Sequence, residues 1–189
     1  MTLRVMVVGG YGNFGSIVCR HLALAPGIEL VISGRDPHNL QRKVDELKSQ
    51  SAAGCEGWCG DAMGAGFAAV LQSMNIQLVI HTGGPFQGQS YAVAQSCIGA
   101  GVNYCDLSDC RTFVNGVGVL DAQAKLAGVA ILSGCSSVPT LSSAIIDQYR
   151  YRFTRIDSIA HGISSSAKPS MMLVLVTSLS DVILTDASA

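Results

Sequence analysis

Apolar and polar positions along this chain fall into blocks, and the blocks alternate between two periods. Leu3 to Val8 is an unbroken apolar run of strand length, the pattern of a strand covered on both faces. Asn13 to Ala25 follows as a helix, stopped by Pro26 and Gly27. Ile28 to Gly34 is a second strand. Pro37 to about Ala53 predicts a polar helix whose Leu40, Val44 and Leu47 are spaced to face inward. "CEGWCGD" (55–61) predicts a weaker third strand, Gly66 to Ser73 a short helix, and Ile76 to Thr82 a fourth strand. Gln89 to Ala100 reads as a helix that Gly101 ends. "VNYCDL" (102–107) is a strand. Arg111 to Ala127 is a helix with Phe113, Val117, Leu120 and Ala124 on one face and Gly128 as its stop. "VAILSG" (129–134) is a sixth strand, and Pro139 opens a helix to about Tyr149.

Strands that alternate with helices imply right-handed crossovers and a parallel sheet. Six such units predict an α/β, doubly wound dinucleotide-binding fold over residues 1–150, leaving 151–189 outside it.

Composition narrows the class. The 189 residues are 49% hydrophobic and 13% charged, which suits a sheet buried on both faces. The net charge is -1 with no block of like charge, so no electrostatic surface for nucleic acid or membrane is expected. The opening "MTLRVMVVGG" lacks a long apolar core and a cleavage site, and a cytoplasmic protein is expected. The seven cysteines (19, 55, 59, 97, 105, 110 and 135) then read as reduced thiols. Cys55 and Cys59 lack a second pair at zinc-site spacing, so no metal is expected. The run "MMLVLVTSLSDVILT" (171–185) is too short for a membrane span and reads as a core helix or strand.

The chemistry starts at the glycines. Gly10-Tyr11-Gly12-Asn13-Phe14-Gly15 satisfies G-x-G-x-x-G directly between a predicted strand and a predicted helix. In that context Gly10 permits the turn out of the strand, Gly12 admits a pyrophosphate to the backbone, and Gly15 lets the helix pack close. The helix N-terminus, at Asn13 and Phe14, supplies free N–H groups to the phosphates. The alternative is a tight turn without ligand.

The end of the second strand selects the cofactor. An NAD site carries an acid there to bind the ribose 2′-hydroxyl. This chain has Ser33 and Gly34 in that place, followed by Arg35, whose guanidinium suits a 2′-phosphate. NADP is favoured and NAD ranks second. The alternatives are a solvated Arg35 paired with Asp36, or Asp36 serving as the acid. Asp61 either bonds the adenine edge or caps the next helix. Thr82, Gly83, Gly84 and Pro85 end the fourth strand, where a ligand lies across the carboxyl ends of strands one and four. His81 is a candidate acid or base, although a core histidine within a strand run is the commoner case.

The stretches "GGYGNFG", "VISGRD", "HTGGPFQGQSYAVAQSCIGAGVNYCDLSD" and "SGCSSVPTLSSAIID" together resemble the saccharopine dehydrogenase-like family, specifically its N-terminal NADP-binding Rossmann domain, from about Leu3 to Gly162. The resemblance implies a cytoplasmic NAD(P)-dependent oxidoreductase. It implies that Gly10 to Gly15 hold the pyrophosphate, that Arg35 meets the 2′-phosphate, and that Gly84, Pro85 and Phe86 lie on the nicotinamide side. Asp106 and Asp109 would face the substrate cleft, with helix capping by Ser108 or Asp109 as the equal alternative. Relatives are longer and add a second, α+β domain, which Arg155 to Ser164 would enter. This chain is therefore expected to be truncated or frame-altered, or else to pack its tail on itself or on another subunit. Met171 to Val176 would offer an adhesive patch for a homo-oligomer.

Other chemistries lack their residues. No tyrosine has a lysine four positions later, as a short-chain dehydrogenase would require, and no phosphate-binding loop of the NTPase type or hydrolase carboxylate pair appears. Cys135 lies near the expected cleft but reads as a small buried thiol. Two functions remain. One is the nucleotide-binding portion of an oxidoreductase that moves hydride to or from an imine or carbonyl carbon of unidentified substrate. The other is a non-catalytic NAD(P)-binding module, a sensor, subunit or remnant.

Overall fold

The computed structural model describes residues 2–159. The chain up to Ser136 forms one compact unit, and a second begins at Ser137. The strands are β1 (Leu3–Val8), β2 (Ile28–Gly34), β3 (Cys55–Cys59), β4 (Leu78–His81), β5 (Asn103–Asp106) and β6 (Ile131–Leu132). They form one parallel sheet in the order β3-β2-β1-β4-β5-β6. Chain order reverses between β1 and β4, the crevice where doubly wound sheets take their ligands.

Both faces are covered, as the unbroken apolar runs require. On one face Val7, Leu30 and Ile32 pack against α1 (Asn13–Leu24) and α2 (Pro37–Lys48) through Cys19, Ala23, Leu40, Val44 and Leu47. On the other, Met6, Val8, Val31 and Val79 meet α3 (Phe67–Ser73) and α4 (Ala92–Ala100) through Phe67, Leu71, Val93 and Cys97. Burial pushes the Cys19 and Cys97 thiols up to about 12, so both behave as small apolar groups.

Several elements differ from expectation. The helix expected to about Ala53 stops at Lys48, since the chain must turn through Gly54, at φ 121°, before β3. The helix expected from Gln89 starts at Ala92, because Gln89 is bonded into the preceding loop. The helix expected over Arg111 to Ala127 is three pieces: α5 (Arg111–Gly116), a 3-10 turn (Val117–Leu120) and α6 (Asp121–Ala127). Tyr91 Oη donates to Phe113 O at 2.7 Å, taking a helical acceptor, and a Cβ on Gly116 would meet that hydroxyl. The sixth strand is only two residues long, because Ser133 and Gly134 leave the ladder to bond Asp106.

In the second unit, a π-helical turn (Ser137–Leu141) precedes α7 (Ser142–Tyr149), so the helix expected from Pro139 starts three residues later. The Arg152 guanidinium lies over the Tyr149 and Tyr151 rings. Half of the strand expected from Arg155 to Ser164 (160–164), and the apolar run 171–185 with its oligomer patch, lie outside the described residues; the described half, 155–159, forms no strand.

The packing at Gly15 sets a stability test. A Cβ there would run into Gly9 O and come within 2.6 Å of Thr82 Oγ1. Gly15→Ala should cost about 3 kcal/mol in urea unfolding. Gly99→Ala, on the exposed side of α4 with no atom near its Cβ position, should instead gain about 0.5 kcal/mol.

Candidate functional site

The loop between β1 and α1 is built by exclusion of side chains. Gly9 takes the left-handed conformation, φ 78°, so it and not Gly10 makes the turn that the sequence assigned to Gly10. Gly10 is required sterically: a Cβ would stand 2.8 Å from Ile32 Cγ2 and 3.0 Å from Cys19 Sγ. The amides of Gly9 and Gly10 both donate to Ser33 O, at 3.0 and 3.1 Å, tying the loop to the end of β2. Gly12 is the N-cap of α1 and brings no side chain to cover the first turn. The N–H groups of that turn therefore face outward without an intrahelical partner.

A cavity of about 600 Å³ opens at this point, across the carboxyl ends of β1, β2 and β4. From the glycine loop it is lined by Gly12, Asn13 and Phe14; Gly10 and Gly15 lie behind this wall. From the end of β2 come Ser33, Gly34 and Arg35, from the turn after β3 Asp61, and from the end of β4 Thr82, Gly83, Gly84 and Pro85. The structure thus brings eleven of the thirteen sequence-derived site residues to one cavity. Tyr11, Met63, His81 and Gln89 also line it.

At the β2 end, the Tyr11 ring covers Gly34 so closely that a Cβ on Gly34 would enter it. The Tyr11 hydroxyl accepts the Asp36 N–H at 2.9 Å. The place where an acid would stand is therefore filled by an aromatic ring. Asp36 does not take the acid's place. Its carboxylate caps α2, accepting from His38 N and Asn39 N, and bonds Asn39 Nδ2. These bonds, that of the Asn39 amide foremost, hold the Asp36 carboxyl below its usual range. Among the described residues Arg35 makes no ion pair, so its pairing with Asp36 is not seen. Ser33 is 1% exposed, and its Oγ is buried without a hydrogen-bond partner. Asp61 does not cap a helix: its Oδ1 accepts Met63 N at 2.9 Å in a local turn, and α3 begins only at Phe67 after Gly66.

At the β4 end, Thr82 Oγ1 bonds Val8 O at 2.8 Å and Gly9 O at 3.2 Å. His81 is both a core residue, 4% exposed, and a wall of the cavity. Burial drives its pKa down to about 4 against the opposing pull of the Asp106 carboxylate. Asp106, expected to face a cleft, is fully buried and does not line the cavity. Ser108 Oγ receives Cys110 N at 3.2 Å; Asp109 is exposed, and α5 has no side-chain cap. Among the described residues no group of three or more histidine, cysteine or acidic side chains is placed to hold a metal. No helix among them is long and apolar enough to cross a membrane.

Residues 5–132 match the family described as saccharopine dehydrogenase NADP binding domain. No curated protein is matched. Among solved structures, the chain is similar to apo saccharopine dehydrogenase (L-Glu forming) from Saccharomyces cerevisiae, at 16% identity and a TM-score of 0.60, over 83% of this chain and 33% of that one. An NAD binding oxidoreductase from Klebsiella pneumoniae matches at 17% identity and a TM-score of 0.55, over 85% of this chain and 41% of that one. L-Sorbose reductase from Gluconobacter frateurii, complexed with NADPH and L-sorbose, matches at 11% identity and a TM-score of 0.54, over 68% of this chain and 67% of that one. At these identities the likeness is one of fold, and this chain spans about a third of the yeast enzyme.

His81 gives the site a pH signature. In the unfolded chain a histidine titrates near pH 6.5; in the fold this one titrates near 4. Between the two the unfolded chain holds the extra proton. The contribution of His81 is therefore fully present above about pH 6.5 and is lost as pH falls toward 4, a change of about 3 kcal/mol. Urea unfolding of wild type and His81→Phe across that window checks this: the variant's stability should fall less steeply.

Proposed function

We propose, for a chain that belongs to the saccharopine dehydrogenase NADP-binding domain family, that the cavity holds NADP(H) as the nucleotide-binding part of an oxidoreductase acting on an imine or carbonyl carbon. The observation that carries this reading is the orphaned Ser33 hydroxyl, buried beside Arg35 at the end of β2. A buried polar group without a partner is costly. A 2′-phosphate would supply its acceptor, and Arg35 the countercharge.

The remaining residues fit the same group. The N–H groups at the start of α1, at Asn13 and Phe14, would meet the pyrophosphate, with the approach kept open by Gly12. Gly10 and Gly15 act from behind by keeping loop, sheet and helix together. The ring of Tyr11 over Gly34 leaves no room for the carboxylate that would repel a 2′-phosphate. Asp61 keeps Oδ2 clear of its turn bond and would face the adenine edge. Thr82 to Pro85 would line the nicotinamide ribose. When bound, NADP(H) supplies the hydride exchange, and the protein's part is to bind and orient it.

One observation favours the second reading, a binding module without turnover. Among the described residues lining the cavity, the titratable side chains are Tyr11, Arg35, Asp61 and His81, and His81 is held neutral. Steady-state NADPH oxidation with keto acid and amine pairs separates the readings. Turnover that requires both partners supports the reductase; tight NADPH binding with no turnover supports the module.

Cofactor choice is tested by fluorescence titration with NADPH and NADH. Arg35→Ala should weaken NADPH binding about tenfold and leave NADH within about twofold. Equal NADPH affinity in wild type and variant would remove Arg35 from the site.

A further inference from the structure

The sheet's two mononucleotide halves present opposite hydrogen-bonding characters to the cavity. In the half built from β4 to β6, a buried polar chain runs from Asp106 through Tyr104 to His81. Asp106 Oδ1 accepts Ser108 N at 2.9 Å, Gly134 N at 2.9 Å and Ser133 Oγ at 3.0 Å. Its Oδ2 accepts the Tyr104 hydroxyl at 3.1 Å. That hydroxyl has one hydrogen, and it is given to Asp106. Toward His81 Nδ1, 3.1 Å away, Tyr104 can only accept, so Nδ1 carries the imidazole proton. A buried neutral imidazole has no second proton, so Nε2 is left as an acceptor. It lies on the side of Gly83, 3.2 Å from where a Cβ on that glycine would be. The Phe86 ring meets the imidazole edge to face at 5.1 Å and fixes its plane.

A second acceptor stands in the same wall. Gln89 Nε2 donates to Gly83 O at 2.8 Å and to Pro85 O at 2.6 Å. Carbonyls only accept, so the amide cannot be turned over, and Gln89 Oε1 is buried with no partner. Thr82 adds no donor here, since its hydroxyl proton is held by the carbonyls of Val8 and Gly9. The wall therefore offers two fixed acceptors, and its complement is a ligand group with two N–H donors.

We propose that His81 Nε2 and Gln89 Oε1 receive the two carboxamide N–H groups of the nicotinamide ring, and so decide how the ring lies in the site. The proposal rests on the NADP-binding reading above. His81 is then a positioning residue, and the Asp106–Tyr104 chain sets which of its nitrogens faces the cofactor.

The test compares NADP with 3-acetylpyridine adenine dinucleotide phosphate, in which a methyl group replaces the amide nitrogen, by calorimetric titration of the whole chain. The adenosine fragment 2′,5′-ADP serves as the control for the other half. Wild type should prefer NADP about tenfold, and His81→Phe should reduce that preference to about threefold or less. Binding of 2′,5′-ADP should be the same in both. A wild-type preference near unity, or one unchanged in His81→Phe, overturns the proposal while leaving the NADP reading intact. Failure of wild type to bind 2′,5′-ADP overturns the NADP reading and the proposal with it.

A measurement on the unaltered protein covers a variant that does not fold. Nitrogen-15 spectra should show His81 Nε2 unprotonated, and its signal should shift on adding NADP but not 2′,5′-ADP. A proton found on Nε2, or no shift with NADP, overturns the assignment.

Discussion

The site depends on one contact that leaves no room for a side chain: the first turn of α1 against the ends of β1 and β4. Gly15 abuts Gly9 O and Thr82 Oγ1, and Thr82 in turn binds Val8 O through both its amide and its hydroxyl. The amides of Gly9 and Gly10 reach across to Ser33 O. Three strand ends are thereby tied to one loop, mostly through main-chain groups. The wall at the switch point is bare peptide, which is what an anion at a helix N-terminus requires. A larger residue at position 15 would lift the helix and draw the amides away from the crevice, so fold and site are constrained by the same atoms.

From that contact the two ends of the cavity diverge. At the β2 end the unmet group is a hydroxyl beside a cation, Ser33 and Arg35. At the β4 end the unmet group with a fixed orientation is an acceptor, on Gln89. The one buried carboxylate nearby, Asp106, spends its charge on four hydrogen bonds drawn from β5 and the segments after β5 and β6. A fully satisfied polar network of this kind is rigid, because breaking any one bond leaves a charge unmet in a low-dielectric interior. It also accounts for the shortness of β6, whose continuation turns to serve Asp106. Part of the sheet's last ladder is given up to hold the imidazole of His81 at the cavity wall.

How much of this was legible depends on how local each feature is. β1 and β2 carry the boundaries read from their apolar runs, because glycines and a proline punctuate them directly. Leu40, Val44 and Leu47 are buried as their spacing requires. The glycine pattern located the loop but mislabelled its turn, since the motif does not distinguish a glycine needed for its φ (Gly9) from one needed for closeness (Gly10). What the sequence did not reveal are the contacts that join distant positions. Tyr11 meets Asp36 across 25 residues and Tyr104 meets His81 across 23, and nothing in the local pattern marks either pair. The family resemblance placed Asp106 at a cleft, just past the fifth strand. Its burial follows from Ser133 and Gly134, which approach it from 27 and 28 residues away.

These arrangements bear on where a proton would come from if the bound dinucleotide reduces a carbon–nitrogen or carbon–oxygen double bond. The atom that gains negative character needs an acid near neutral pH. Arg35 follows β2, on the other side of β1 from β4. Asp61 lies in the turn after β3, at the far side of the sheet from β4. His81 stands at the right end of the cavity, but burial keeps it neutral, and its single N–H points away from the cavity toward Tyr104. Tyr104 points its own proton at Asp106, and burial lifts its pKa further. The His81 and Tyr104 protons are thus both directed inward, away from the cavity. Among the described cavity residues, then, His81 is fitted to orient a bound group rather than to give it a proton.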